Sequence, residues 1–144
     1  VGGRGNDTVS GFGGNDTLDG GAGGNILDGG AGNDTAYGQS ASGVTLNLAA
    51  SSIETVHGTV GGDVFDGSQA ASRLVEYGKD GNDSLIGASA ADLIRLFGGN
   101  DFGRGGNGND SLNGGEGNEG RGQELVGLDR CGKMNGLKIL LTLA

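Results

Sequence analysis

A chain of 144 residues with 36 glycines, no proline, no tryptophan, 4% aromatics and 33% hydrophobic residues holds one domain's worth of length but too little apolar matter for a conventional core. Its net charge of −9, from 18 acidic and 9 basic side chains, excludes the basic footprint of a nucleic-acid-binding protein and favours a cationic partner. The acid is unevenly spread: residues 1–122 carry 16 acids and 6 bases, residues 123–144 only 2 acids and 3 bases.

The first element in chain order is a tandem repeat over residues 1–37. In steps of nine it reads GGRGNDTVS (2–10), GFGGNDTLD (11–19), GGAGGNILD (20–28) and GGAGNDTAY (29–37), with glycine at positions one and four throughout. Position six is Asp7, Asp16, Asn25 and Asp34, and two residues later comes Val9, Leu18, Leu27 or Ala36. Residues 38–57 leave the pattern. Val44, Leu46 and Leu48 alternate with polar residues as in a half-buried strand, and Ile53 with Val56 marks a second short strand. This spacer reads as a longer circuit of the same solenoid, or as an insert that breaks the fold into two stacks.

The second repeat block spans 58–122. It opens with GTVGGDVFD (58–66), carrying Asp63. GKDGNDSLI, GASAADLIR, LFGGNDFGR and GGNGNDSLN follow from residue 78 to 113, with Asp83, Asp92, Asp101 and Asp110 at position six. The interval from Asp63 to Asp83 is longer than a pair of nonapeptides, so two extra residues bulge within 67–77. Copy 87–95 has Ala90 at position four, copy 96–104 has Gly103 at the aliphatic position, and copy 114–122 decays, with Glu119 at position six. Residues 123–144 abandon the repeat and read as a capping strand, a short helix or a foreign tail.

The spacing points to a metal. The first six positions of each copy make a turn and the last three a strand, so two nonapeptides complete one coil and equivalent turns recur at every second copy. Glycines Gly3, Gly5, Gly14, Gly30, Gly32, Gly81, Gly99, Gly106 and Gly108 allow the turn backbone φ > 0 and aim carbonyls inward, beside the carboxylate at position six. Calcium asks for 6–8 oxygen ligands. Carbonyls and carboxylates from two stacked turns meet that need, with expected pairs Asp7/Asn25, Asp16/Asp34, Asp83/Asp101 and Asp92/Asp110, and with Glu119 facing Asp101. Asn25 lacks a charge, and its pair is expected to bind more weakly. The expected fold is all-β, a right-handed parallel β-roll binding several calcium ions.

Other chemistries find little support. His57 is a lone histidine without an HExxH motif, and no GxSxG supports a hydrolase triad. The chain therefore reads as a non-enzyme, with His57 structural or on the surface. Cys131 has no intrachain partner. The LKILLTL run is far short of the roughly 20 apolar residues of a membrane span. The chain opens on Val1-Gly2-Gly3 with no signal-peptide pattern, which reads as a fragment or a processed chain.

GGRGNDTVS and GGNGNDSLN resemble the RTX, or hemolysin-type, calcium-binding nonapeptide GGxGxDxUx, where U is a large aliphatic residue, and the resemblance runs over residues 2–122. It implies a secreted bacterial protein, exported by a type I secretion apparatus and folding outside the cell. It also implies an accessory module whose parent is a toxin, a metalloprotease or a lipase with its catalytic domain elsewhere; an adhesion or surface-layer repeat is the other alternative. Asn25, Ala90 and the cysteine-bearing tail depart from the family pattern.

Overall fold

The computed structural model describes residues 1–39, 43–48 and 52–115, together with the strand at 124–128. In the described nonapeptides, positions seven to nine form a short strand, three residues long except in β11, because the positions before it are committed to the turn. In the first block these strands are β1 (Thr8–Ser10), β2 (Thr17–Asp19), β3 (Ile26–Asp28) and β4 (Thr35–Tyr37). The spacer contributes β5 (Thr45–Asn47) and β6 (Thr55–His57). The second block contributes β7 (Val64–Asp66), β8 (Val75–Tyr77), β9 (Ser84–Ile86), β10 (Leu93–Arg95), β11 (Phe102–Asn107) and β12 (Ser111–Asn113). The tail adds β13 (Glu124–Leu128).

Odd and even strands lie on opposite walls. The even strands form one six-stranded sheet in the order β12-β10-β8-β6-β4-β2, and β13-β11-β9-β7-β5 form a second sheet. A third pair, β1-β3, precedes the second sheet along its wall, joined by a bridge from Gly24 to Thr45. Every pairing between strands is parallel, with Leu18 beside Ala36, Ala36 beside Val56 and Phe65 beside Leu85. This is the expected all-β parallel β-roll. The described residues contain no helix, and so none long and apolar enough to cross a membrane.

The spacer does not break the roll. β4, β6 and β8 are consecutive neighbours in one sheet and β5 pairs with β7 in the other, so the two strands of the spacer continue the solenoid. The two extra residues fall in the connection between β7 and β8, which runs from 67 to 74 and is longer by two than the turn of a regular copy. In the tail, the backbone of 124–128 pairs with β11 across an irregularity between Arg104 and Gly106.

Position eight points inward from both walls. Leu18, Leu27, Ala36, Leu46, Val56, Phe65, Leu85 and Ile94 are buried, while Val9 and Leu112 at the two ends are only partly covered. Val44, Leu48, Ile53, Leu74 and Leu96 are buried as well, although they sit in corners rather than in strands. The apolar core is therefore densest in the middle coils, where glycine turns give way to apolar corners. Outside, His57 stacks between Tyr37 and Tyr77, with ring centroids 4.7 and 4.6 Å apart. That is a surface structural role, as its lone position in the sequence suggests.

One inward residue breaks the pattern. Glu76 holds position eight of β8, between Val56 and Ile94 in the sheet register. It is fully buried, and neither carboxylate oxygen has a hydrogen-bond partner. Burial pushes it from 4.5 up to about 8, with repulsion from Asp92 and Asp66 adding to the effect. The folded state thus holds this proton more tightly than the unfolded chain does. Its contribution to stability falls as pH rises from about 4.5 to about 8, by about 1.4 kcal/mol per pH unit, and then levels off. Glu76→Leu is expected to remove this component, so its advantage over the native chain in denaturant melts grows from pH 5 to pH 8. An equal loss of stability at both pH values would show that the carboxyl has a favourable partner.

Candidate metal centre

Each turn is built from two backbone devices. At position four, Gly14, Gly32, Gly81 and Gly99 lie at φ between +112° and +144°. Stacking also leaves no room for a side chain at Gly32, Gly81 and Gly99, though it does at Gly14: a Cβ on Gly32 would overlap the Gly14 carbonyl of the coil below. At position two, most turns are again left-handed, including the non-glycine residues Phe12 (φ 71°), Lys79 (φ 78°) and Phe97 (φ 71°). Position-five asparagines tie successive turns together: Asn6, Asn15 and Asn82 accept from the backbone of Gly24, Asn33 and Asn100 at 2.9–3.0 Å.

Position six makes two ladders, one along each edge of the roll. Along the first edge, Asp7 N–H donates to Asn25 Oδ1 (2.9 Å), Val44 N–H to Asp63 Oδ1 (2.7 Å), Asp63 N–H to Asp83 Oδ1 (2.8 Å), and Asp83 N–H to Asp101 Oδ1 (3.0 Å). Along the second, Asp16 N–H donates to Asp34 Oδ1 (2.8 Å), Asp34 N–H to Glu54 Oε2 (2.8 Å), Leu74 N–H to Asp92 Oδ1 (2.8 Å), and Asp92 N–H to Asp110 Oδ1 (3.0 Å). All four pairs expected from the two-copy spacing are brought together. Glu119 lies outside the described residues.

Sequence reasoning missed Glu54, which occupies position six of the spacer coil. Its signal was present: Glu54 precedes the inward Val56 by two residues, as Asp16 precedes Leu18. It was hidden because the coils on either side of it are longer than two nonapeptides, and because no glycines flank it. Val44 and Leu74 occupy the same rung in their own coils, so each ladder is interrupted once by an apolar side chain that bears no ligand. Asp63, isolated in the sequence, joins Asp83 and Asp101 in the ladder.

The second oxygen of each carboxylate carries the chemistry. Among the described residues, Oδ2 of Asp16, Asp34, Asp83, Asp101 and Asp110 is buried and has no hydrogen-bond partner. A bare buried carboxylate oxygen costs more than the 1–3 kcal/mol or so of a neutral unsatisfied group. Burial raises Asp83 to about 7, and its neighbours Asp63, Asp101 and Asp80 push in the same direction, against the amide bond to Asp63. Asp92 is raised to about 6 by burial, despite hydrogen bonds from Leu74 and Ala88. Burial also raises Asp101 and Asp110.

No hydrogen-bond donor reaches these Oδ2 atoms, although the charge of Arg73 acts on Asp92 along the second edge, and such oxygens suit a hard cation. No three His, Cys, Asp or Glu side chains converge among the described residues. A bound ion would therefore complete its shell with turn carbonyls, as the composition of the turns suggests.

Comparison with known proteins agrees with this geometry. The RTX calcium-binding nonapeptide repeat matches in four copies, at residues 1–27, 19–41, 77–112 and 97–119, more than half of the chain. No curated protein and no solved structure matches.

Protons compete with a cation for these oxygens. Because Asp83 stays protonated up to about pH 7, calcium affinity is expected to fall between pH 8 and pH 6. The limit is about tenfold per pH unit for each proton displaced. Calcium titrations at pH 8, 7 and 6 measure this, and equal affinity at all three would contradict it.

Proposed function

Because the chain belongs to the RTX calcium-binding nonapeptide repeat family, we propose that it is a calcium-binding module whose folding and stability depend on the ions held in its turns. The supporting observation is the set of buried, unpartnered carboxylate oxygens along both edges. They make the folded chain unfavourable alone and favourable around a divalent cation. The residues that would hold the ions are position-six carboxylates together with carbonyls of the same glycine turns. A bound ion would supply positive charge at these bare oxygens.

The reading extends to the protein's setting. A chain that folds only where calcium is abundant is suited to export in unfolded form. This supports a secreted bacterial protein, with a type I apparatus as its route and a catalytic or adhesive partner domain elsewhere. The module itself is read as having no catalysis of its own: its position-six carboxylates are committed to the ladders, and His57 is sandwiched between Tyr37 and Tyr77.

Circular dichroism and thermal melting in calcium, in magnesium and in excess chelator test the dependence. Strand signal is expected in calcium and is expected to be lost on chelation. Each site adds about 2.7 kcal/mol when free calcium is 100-fold above its dissociation constant. Strand signal and melting temperature that ignore the chelator would refute the proposal.

A further inference from the structure

The carboxylates at position six fall into two groups, and the backbone at position two separates them. Where position two is left-handed, at Phe12, Gly30, Lys79, Phe97 and Gly106 (φ +71° to +88°), the aspartate four residues on has a buried, unpartnered Oδ2. Where position two is Gly3, Thr59 or Ala88, outside the left-handed region, its N–H folds back onto the same turn's carboxylate. Gly3 N–H donates to Asp7 Oδ2 at 2.7 Å, Thr59 N–H to Asp63 Oδ2 at 2.7 Å, and Ala88 N–H to Asp92 Oδ2 at 2.6 Å.

Rotating φ at position two turns the N–H away from the carboxylate. At Gly30 it donates instead to Asp28 Oδ1, at position nine of the preceding copy, at 3.1 Å. Side chains explain part of the choice. Thr59 is β-branched and resists φ > 0, and its hydroxyl also donates to Asp63 Oδ1 at 3.1 Å. Ala90, at position four of the Asp92 turn, removes the second left-handed glycine.

Asn25 shows what an open turn lacks. Its turn has the left-handed form (Gly21 φ 73°, Gly23 φ 127°), yet nothing there is left bare. Its Nδ2 donates to the carbonyls of Gly21 (3.4 Å) and Gly23 (3.2 Å). The amide supplies internally the positive end that an aspartate turn of the same shape must take from outside. Phe12, Lys79 and Phe97 hold a backbone conformation costly for a side-chain-bearing residue, which persists where something compensates for it.

We propose that calcium enters only turns whose position two is left-handed and whose position six is a carboxylate. Among the described residues, the intact sites are then the Asp16/Asp34 pair on the second edge and the Asp83/Asp101 pair on the first. The Asp7, Asn25, Asp63 and Asp92 turns are closed by their own hydrogen bonds and stack without metal. Asp110 is open but sits on the closed Asp92 turn, which leaves half a site. This map rests on the calcium-binding reading above.

The test counts calcium ions bound per full-length chain, by isothermal titration and equilibrium dialysis, with circular dichroism confirming the fold. Asp16→Asn and Asp83→Asn are each expected to lose one ion relative to the native chain, whereas Asp92→Asn loses none. The double variant Ala88→Gly, Ala90→Gly keeps every carboxylate, restores glycine at positions two and four, and is expected to gain one ion at Asp92/Asp110. This arm stands even if an aspartate variant fails to fold. Loss of an ion in Asp92→Asn, or no gain in the folded double-glycine variant, would overturn the position-two rule while leaving calcium binding intact. A native chain that binds no calcium would overturn both readings.

Discussion

Burying an ionised carboxylate away from water costs several kcal/mol unless its oxygens find partners, and this fold places a carboxylate or its amide at most of its corners. Beyond the first coil, one oxygen at each of these positions is provided for, because the peptide N–H of the neighbouring coil donates to it; eight such bonds run up the two edges. The same bond sets the vertical spacing of the coils, so charge and backbone stacking cannot be separated. The second oxygen is where the turns differ: in some it is bare and in others it accepts from its own turn.

The roll is not uniform along its axis. Its middle coils carry Val44 and Leu74 at position six, and bury Leu48, Ile53 and Phe65 around them. Apolar contact there replaces the charged rung. Towards the ends, the inward side chains Val9 and Leu112 are poorly covered, and the carboxylate turns are packed against glycine. The hydrophobic effect thus holds the centre, while the ends rely on the oxygen-lined edges. Glu76 is the exception within the apolar centre, and both of its oxygens are bare. Its burial lets proton concentration bear on the apolar centre.

Much of this was legible from spacing alone. A nonapeptide period with glycine at fixed places and an aliphatic at position eight permits one economical arrangement: short parallel strands, two per coil, with turns recurring on alternate edges. The pairs Asp16/Asp34 and Asp83/Asp101 follow from the same arithmetic. Where the period slips, the arithmetic fails. Glu54 and Asp63 belong to coils longer than two nonapeptides, and Leu74 takes position six only because the extra residues are absorbed between β7 and β8. No local signal distinguishes such an insertion from a break in the fold, because what absorbs it is the packing of Leu48, Ile53 and Leu74 at corners contributed by separate circuits.

The sequence by itself determined the class of fold, the edge residues wherever the nonapeptide period holds, and the calcium-binding character of the repeats, since these depend on residue type at a fixed interval. Only the tertiary structure decided which carboxylates keep a bare oxygen. That choice depends on the direction of one peptide N–H at position two. Gly3 and Gly30 are the same residue at the same place in the repeat, yet the first turns its amide onto Asp7 and the second turns it away from Asp34. Glycine permits both conformations, so the outcome rests with the coils stacked around it.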